Sequence, residues 1–359
     1  MLAFLYENKG NMKSKMLFFY ISVAVFTLLS VLFFLFFVRK DTPKNNITTA
    51  ELKEAKQQIN IHILRYDTDL FALDLNNLSK EVERLSKQYP SFLIEQGIWN
   101  DPAQLERLKA YLQDTVIIAL HKAVEKTVKM DEFHKNLETA FGYYKVFYPE
   151  DFIPEIITLI PGLDLTMPSV YIYDNFLCIN IDMYLGKEHP YYGAVGLPLY
   201  IAERCEPVYL CVDIFKKALV YKHLKEEPCV TLIENMIYEG KKLYFTEMMF
   251  PEMPERYIIG YSVEKYDWAN QYIGNIWSYM IEKNELFGKN DALMRCYIEE
   301  TPFTKQFGND SPGRLGIFLG WKLIQSYMAN NPEVTLQELM QTSDYQKILN
   351  NSKFKPQVK

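Results

Sequence analysis

Apolar and polar residues alternate along this chain with periods that predict mostly helices. From 51 to 88, apolar side chains recur at close to a 3.6-residue period, and Pro90 ends the pattern. Asp101 and Pro102 then form a typical helix start, with a capping carboxylate before a proline in the first turn. This second helical stretch extends to about Val128. A third is predicted over 130–148.

The second half begins with a change from helical to strand periodicity. Alternating apolar residues flank the turn-forming pair Asp174-Asn175, which predicts a β-hairpin over 169–173 and 176–184. Asn180 and Asp182 should share a face that is polar or leads into a cleft. Helical patterns return after residue 196, and the predicted helices are 197–204, 207–224, 229–248, 266–284, 291–297, 312–330 and 336–341. The expected fold class is therefore mainly α (α+β), a helical domain with one small hairpin or sheet.

One apolar segment is too long for an ordinary buried helix. Residues 16–38 read MLFFYISVAVFTLLSVLFFLFFV, which is 23 residues without a charge. A helix of that length extends roughly 34 Å, and a bilayer core is about 30 Å thick. The pattern predicts an N-terminal transmembrane helix, with the rest of the chain tethered to a membrane.

Three kinds of leader could contain such a segment. A cleaved secretory signal has a shorter apolar region followed by small residues, and neither feature is present here. A lipoprotein signal requires a cysteine at the cleavage point, whereas the first cysteine is Cys178. Three basic residues lie on each side, so the positive-inside rule leaves the orientation open. We expect an uncleaved signal anchor: a cytoplasmic n-region at 1–15, a single-pass membrane segment at 16–38, a linker at 39–50 and a periplasmic domain at 51–359.

Composition narrows the possible partners. The net charge is −6 and no run of five like charges occurs, so nucleic acid is not an expected partner. The five cysteines are scattered without a C-x-x-C pair, and their odd number argues against a full disulfide framework. At most one or two bridges could form, and mostly buried free thiols are expected.

Glu239 is the first candidate for chemistry. On a helix it shares one face with Leu232, Met236 and Leu243, and a carboxylate among apolar residues needs a partner or a proton. It could be a metal ligand, or the remnant of one, at the floor of a cleft. It could equally pair with Arg204 or Arg314, or lie on a half-exposed face.

The helix predicted at 312–330 offers a second candidate. Ser311 could cap it and Pro312 could occupy its first position, while Gly313, Gly316 and Gly320 recur at spacings that let another backbone approach closely. This pattern is typical of a core-packing helix. Arg314 could still be a buried charge directed at a functional site.

Histidine patterns exclude the commonest zinc-protease motif. His189 lies alone in a loop, where a histidine is more often a turn or surface residue than a ligand, and no His-Glu-x-x-His occurs anywhere. The chain also has no phosphate-binding glycine loop and no Gly-x-Ser-x-Gly motif. No catalytic residue, metal or cofactor is predicted.

Several long segments resemble one known family, the GldB gliding-motility lipoproteins of Bacteroidetes. They are IDMYLGKEHPYY at 181–192, LPLYIAER at 197–204, MIYEGKKLYF at 236–245, GYSVEKYDW at 260–268, TPFTKQF at 301–307, PGRLGIFLGWKLIQSYM at 312–328 and SKFKP at 352–356. The resemblance extends over about 50–356. It implies a cell-envelope protein of the gliding machinery or the associated secretion machinery. The chain departs from this family because it lacks the lipoprotein cysteine, and a membrane-spanning anchor could replace the lipid.

The family in turn resembles predicted zinc peptidases that pair His-Glu-x-x-His with a downstream Glu-Gly segment. If Glu239 corresponds to their third ligand, the first histidine falls at Lys216, where the chain reads Lys-Lys-Ala-Leu-Val. Both histidines and the general-base glutamate are therefore absent. The resemblance implies a zincin-like fold without its zinc site, with a relict cleft whose candidate residues are Glu239, Arg314, His189, Asp182 and Tyr244.

Three hypotheses follow from these observations. The first is a membrane-anchored envelope protein that acts non-enzymatically through contacts with proteins of the motility or secretion machinery. The second is a metallopeptidase-like hydrolase that uses an unrecognised arrangement of residues in the relict cleft. The third is a module that binds a peptide or glycan in that cleft, or a partner's strand along the hairpin edge at 176–184.

Overall fold

The computed structural model describes residues 47–358, which form one helical unit around a small sheet. The α-helices are α1 Thr49–Gln57, α2 Tyr66–Phe71, α3 Leu78–Leu85, α4 Pro102–Gln113, α5 Thr115–Thr127, α6 Met130–Phe147, α7 Pro190–Ala194, α8 Leu199–Ala202, α9 Val208–Asp213, α10 Leu232–Met249, α11 Glu255–Ile259, α12 Val263–Glu282, α13 Asp291–Tyr297, α14 Leu315–Asn330, α15 Leu336–Gln341 and α16 Tyr345–Ser352. The strands are β1 Ile63–Leu64, β2 Glu155–Leu159, β3 Val170–Tyr173 and β4 Phe176–Asn180.

The prediction of a mainly helical fold with one small sheet is confirmed. The sheet has the order β1-β2-β4-β3, in which β1, β2 and β4 run parallel and β3 pairs antiparallel with β4. The predicted hairpin is therefore present, with Val170 opposite Ile179. Its second strand stops at Asn180, because residues 181–184 turn into a 3₁₀-helix. Strand β4 lies inside the sheet, so the predicted free edge at 176–184 is wrong and β3 is the edge on that side.

The prediction of one continuous helical stretch over 51–88 is wrong. The segment contains α1, α2 and α3, and β1 interrupts it between α1 and α2. Strand β1 exists because Ile63 and Leu64 pair with Ile156 and Ile157. Parallel pairing between segments so far apart in sequence leaves no local signal, so periodicity alone could not show it.

Helices α10 and α14 cross at the centre of the main core at very short range. A Cβ atom added to Gly320 would lie 1.8 Å from the Met236 carbonyl oxygen, and one on Gly240 would lie 2.4 Å from the Gly320 carbonyl carbon. The close backbone approach predicted for the glycines of this helix is therefore present. Large side chains such as Trp321 and Phe318 fill the surrounding core completely.

The predicted start of α14 is wrong. The helix begins at Leu315, and Arg314 precedes it in the left-handed region with φ 58°. Ser311 does not cap the helix, because its hydroxyl donates to the Thr304 carbonyl at 3.1 Å and accepts from the Thr304 N–H. Residues 311–314 instead form a turn that positions the Arg314 side chain.

The helix predicted over 207–224 is divided into three consecutive segments of different helical type. Helix α9 continues into a π-helical segment, Ile214–Ala218, and then a 3₁₀ segment, Leu219–Lys222. Single π-helical turns occur frequently at functional sites. This one contains Lys216 and Lys217.

The cysteine prediction agrees with the structure. All five cysteines are free thiols, and Cys178, Cys205 and Cys211 are buried.

The predicted membrane segment at 16–38, like most of the linker at 39–50, lies outside the described residues. Within 47–358, no helix is both long enough and apolar enough to span a bilayer.

Candidate functional site

Glu239 forms an ion pair one turn along its own helix. Its Oε2 atom lies 2.6 Å from the Lys242 ammonium, which also donates to the Tyr221 hydroxyl at 3.1 Å. The Glu239 side chain is 23% exposed. The carboxylate is thus half-buried and paired, although with Lys242 rather than with the two arginines that the sequence suggested.

Asp182 is the most deeply buried of the five candidate residues. It is fully buried in the 3₁₀-helix after β4, where its Oδ2 atom accepts the N–H groups of Gly162 and Leu163 at 2.9 and 2.8 Å. Its Oδ1 atom has no hydrogen-bond partner among the described residues. Burial raises the pKa of this carboxyl to about 6, against the opposing effect of the two backbone N–H groups. Asp182 therefore holds the 162–163 turn against the sheet.

We expect the Asp182→Asn variant to be at least as stable as wild type at pH 7. Below pH 7, its free energy of unfolding should depend less on pH than that of wild type. The folded pKa lies above the unfolded value of 3.8, so protonation stabilises the fold at low pH and this contribution is lost as pH rises through about 6. Asparagine keeps the acceptor for both N–H groups but has no charge to desolvate. Urea unfolding between pH 4 and 7 measures this, and an unchanged pH slope in the variant would contradict it.

His189 and Tyr244 occupy different environments from Asp182. The His189 ring packs against the edges of Tyr191 and Tyr192, with centroids 5.3 and 5.7 Å away, and burial lowers its pKa. Its Nδ1 atom is buried without a partner in the described part of the chain. Tyr244 is half-buried on α10 against the main core, and burial raises its pKa. Within residues 47–358, no hydrogen bond or ion pair joins any two of the five candidates.

Arg314 belongs to a group of charges that sequence reasoning recognised only in part. Its Nη2 atom donates to the Ile259 carbonyl at 3.0 Å, and its Nε atom lies 3.3 Å from Glu300. Glu300 also accepts a hydrogen bond from each terminal nitrogen of Arg204, at 2.8 and 2.9 Å. These two arginines hold the pKa of the Glu300 carboxyl below its ordinary value, although its partial burial opposes that shift.

The π-helical segment adds two lysines to this group, and the last residue of α9 adds an aspartate. The Lys216 ammonium donates to the Ile258 carbonyl at 3.1 Å and lies 3.5 Å from Asp213, whose other oxygen is 2.7 Å from Lys217. Burial lowers the pKa of Lys216 to about 8, and the attraction of Asp213 offsets only part of that shift. We call these six residues the cation cluster: Arg204, Asp213, Lys216, Lys217, Glu300 and Arg314.

The cation cluster assembles from distant parts of the sequence. Arg204 follows α8, Glu300 lies in the loop after α13, and Arg314 precedes α14. Arg204 and Glu300 are separated by 96 positions. The unusual backbone of Arg314 and the π-helical turn direct their side chains towards the end of α11, where the Ile258 and Ile259 carbonyls are available. Neither the contact nor the role of Glu300 had a signal in the sequence.

A second group with ligand-like chemistry lies near β1 and was also missed. Ligand atoms of Asp67, His121 and Glu125 lie within 4.8 Å of one another, as in a metal site. However, Arg65 donates two hydrogen bonds to Asp67 and another to Glu125. The arginine therefore already supplies the positive charge that a metal ion would bring.

A separate cavity lies away from these candidate residues. It encloses about 690 Å³ between α1, α6, α9 and the 249–257 segment, with Leu52, Phe133, Tyr143 and Met253 among its lining residues. None of the five candidate residues lines it. Glu239 instead lines a separate open cleft of about 550 Å³ together with Asn235 and Tyr238, and Arg314 lines a small pocket beside Glu300.

Comparison with known proteins gives one match. The family model described as "Gliding motility protein GldB" matches residues 46–356. No curated protein and no solved structure matches the chain, so the expected zincin-like fold stays a prediction. The matched range covers nearly all of the described residues, and it includes every motif on which the resemblance was based. The chain therefore belongs to the GldB family of gliding motility proteins.

Proposed function

We propose that this protein is a membrane-anchored component of the cell envelope that serves the gliding or the secretion apparatus through protein contacts, without catalysis. Family membership supports a role in motility. The proposed anchor is the apolar segment at 16–38, with the main domain in the periplasm, and the proposed partners are envelope proteins of the machinery.

The observation that carries the non-enzymatic part is the chemistry at Lys216. The peptidase resemblance places the first zinc ligand there. The position instead has an ammonium group beside two buried guanidinium groups, those of Arg204 and Arg314. Positive charges repel a divalent cation and cannot ligate it. The proposed third ligand, Glu239, is held by Lys242.

The two alternatives have less support. A hydrolase would need its reacting groups within direct or water-bridged contact, and no hydrogen bond or ion pair joins any two of the five candidates in the described residues. A peptide strand that binds at the hairpin would have to pair with β3, since β4 already has neighbours on both sides. The π-helical segment packs near that edge, and Lys217 donates to Ser169 immediately before β3. Part of the edge is therefore covered.

Deletion of the gene tests the proposal. We expect the deletion strain to lose colony spreading, and to regain it with wild-type protein and with Glu239→Gln alike. A hydrolase that depended on Glu239 would not be restored by the glutamine variant. Normal spreading and normal secretion in the deletion strain would contradict the proposed role.

Metal content provides a second readout. Purified full-length protein should contain no stoichiometric zinc and show no peptidase activity, and Glu239→Ala should behave in the same way. One bound zinc that is lost in Glu239→Ala would overturn the non-enzymatic proposal.

A further inference from the structure

Glu300 is bound by this protein in the way a ligand carboxylate would be. Arg204 forms a two-pronged contact with both of its oxygens, and Arg314 approaches one of them from a second direction. Arginine makes such bidentate contacts with carboxylates and with phosphates. The Glu300 side chain is 41% exposed, whereas those of Arg204 and Arg314 are 17% and 12% exposed. The carboxylate thus lies at the mouth of a site whose cations lie below it.

The site carries more positive than negative charge. The cation cluster has four basic side chains and two carboxylates, which gives a formal charge of +2. The Ile258 and Ile259 carbonyls accept hydrogen bonds from Lys216 and Arg314 but bring no full charge. The nearby Glu203 is paired with Lys265, and Glu239 with Lys242, so neither adds a free negative charge. Burying unbalanced positive charge is costly, so the two arginines need a carboxylate at this position, whether that of Glu300 or one that replaces it.

Glu300 occupies nearly all of the available space. The remaining pocket at its mouth, which Tyr200, Gly260, Tyr261, Thr301 and Gly313 also line, holds only about 20 Å³. The buried Thr301 hydroxyl there has no hydrogen-bond partner among the described residues. A carboxylate from outside could therefore enter only where the Glu300 side chain leaves. Glu300 lies in the loop between α13 and the 3₁₀ turn at 305–307, so it can rotate outward without unwinding a helix.

We propose that Arg204 and Arg314 form a carboxylate-binding site, in which Glu300 is a resident occupant that an acidic side chain of a partner protein displaces. The nature of the partner rests on the function proposed above. An acidic side chain is favoured because the resident occupant is itself an internal glutamate, whose bidentate geometry the site already fits. Exchange would couple partner binding to outward rotation of the Glu300 side chain.

Binding of a small probe tests the site directly. The probe is a tripeptide with glutamate between two alanines, acetylated and amidated so that its only charge is the side-chain carboxylate. Its control has glutamine in place of glutamate. Binding to the purified full-length protein is measured by titration calorimetry at constant ionic strength, for wild type, Glu300→Gln and Glu299→Gln. Glu299 is a matched control because it is the adjacent exposed glutamate, outside the cluster.

We expect Glu300→Gln to bind the glutamate peptide at least about tenfold more tightly than wild type, because the resident carboxylate no longer competes. Glu299→Gln should bind like wild type, and the glutamine peptide should not bind to any of them. Adding Arg204→Lys to Glu300→Gln keeps the charge but removes the two-pronged contact, and it should abolish the gain.

Equal affinity of Glu300→Gln and Glu299→Gln for the glutamate peptide would overturn the proposal. So would equal binding of the glutamate and glutamine peptides, or binding of inorganic phosphate without binding of the glutamate peptide. If Glu300→Gln does not fold, Glu300→Asp retains the charge with a shorter reach and should show a smaller gain of the same sign. The readout is binding in vitro, so the site can fail while deletion still stops spreading. Conversely, the peptide can bind while the deletion strain still spreads, so the two proposals are tested separately.

Discussion

Replacing Gly320 with alanine is expected to destabilise the domain by about 3 kcal/mol or more, at the upper end of what overpacking a core costs. The added methyl group would lie 1.8 Å from the Met236 carbonyl oxygen and 2.4 Å from its carbonyl carbon. These are backbone atoms of α10, so no side chain can rotate away to make room. The two helices would have to separate, and Trp321 and Phe318 beside the crossing would lose their packing.

The matched control is Gly193→Ala. Gly193 is also helical, but an added methyl group there would meet no atom within 4 Å. Its replacement should change stability by less than about 1 kcal/mol, and in the stabilising direction, because alanine restricts the unfolded chain. Urea unfolding of both variants measures the difference. Similar midpoints for the two would show that the α10–α14 crossing yields more readily than its geometry implies.

The same crossing shows how far sequence could predict this fold. Glycines three and four residues apart indicated a close backbone contact, and that contact is present at Gly320. The start of the helix was misplaced because Pro312 suggested a first turn. A left-handed residue at Arg314 delays the helix to Leu315. Helical periodicity identifies a buried face, but it does not reveal a backbone conformation that tertiary contacts impose.

Contacts between distant segments are the main features of the fold that could not be predicted from the sequence. Strand β1 has two residues, and its existence depends on β2, which lies about ninety positions later. The Arg204–Glu300 contact likewise joins residues 96 positions apart, of which Arg204 ends a family motif and Glu300 lies just outside the motif at 301–307. Asp182 was singled out as part of a polar face or a cleft, and the structure buries its side chain fully. The reason for its position, two N–H groups of the 162–163 turn, could not be read from the alternation of β4.

We expect Arg65→Met to cost about 3–5 kcal/mol, the range observed when one partner of a buried ion pair is removed. Arg65 donates to both oxygens of Asp67, at 3.0 and 2.8 Å, and also contacts Glu125. The Asp67 side chain is completely buried between α2 and β2, where Thr158 is its other hydrogen-bond donor. Methionine fills a similar volume, so the loss reports the unpaired carboxylate rather than a cavity.

The double variant Arg65→Met, Asp67→Asn separates charge from packing. An asparagine at position 67 can still accept from Thr158 and has no charge to desolvate, so it should recover a large part of the stability lost in Arg65→Met. The surface control is Arg84→Met, because Arg84 pairs with Glu81 at 3.0 Å with its side chain 53% exposed, and pairs of that kind contribute only about 0–1 kcal/mol. Urea unfolding at pH 7 compares all three. If Arg65→Met loses no more than Arg84→Met, Asp67 finds another partner or water when Arg65 is removed, and the buried pair contributes little to the junction of α2, α5 and the sheet.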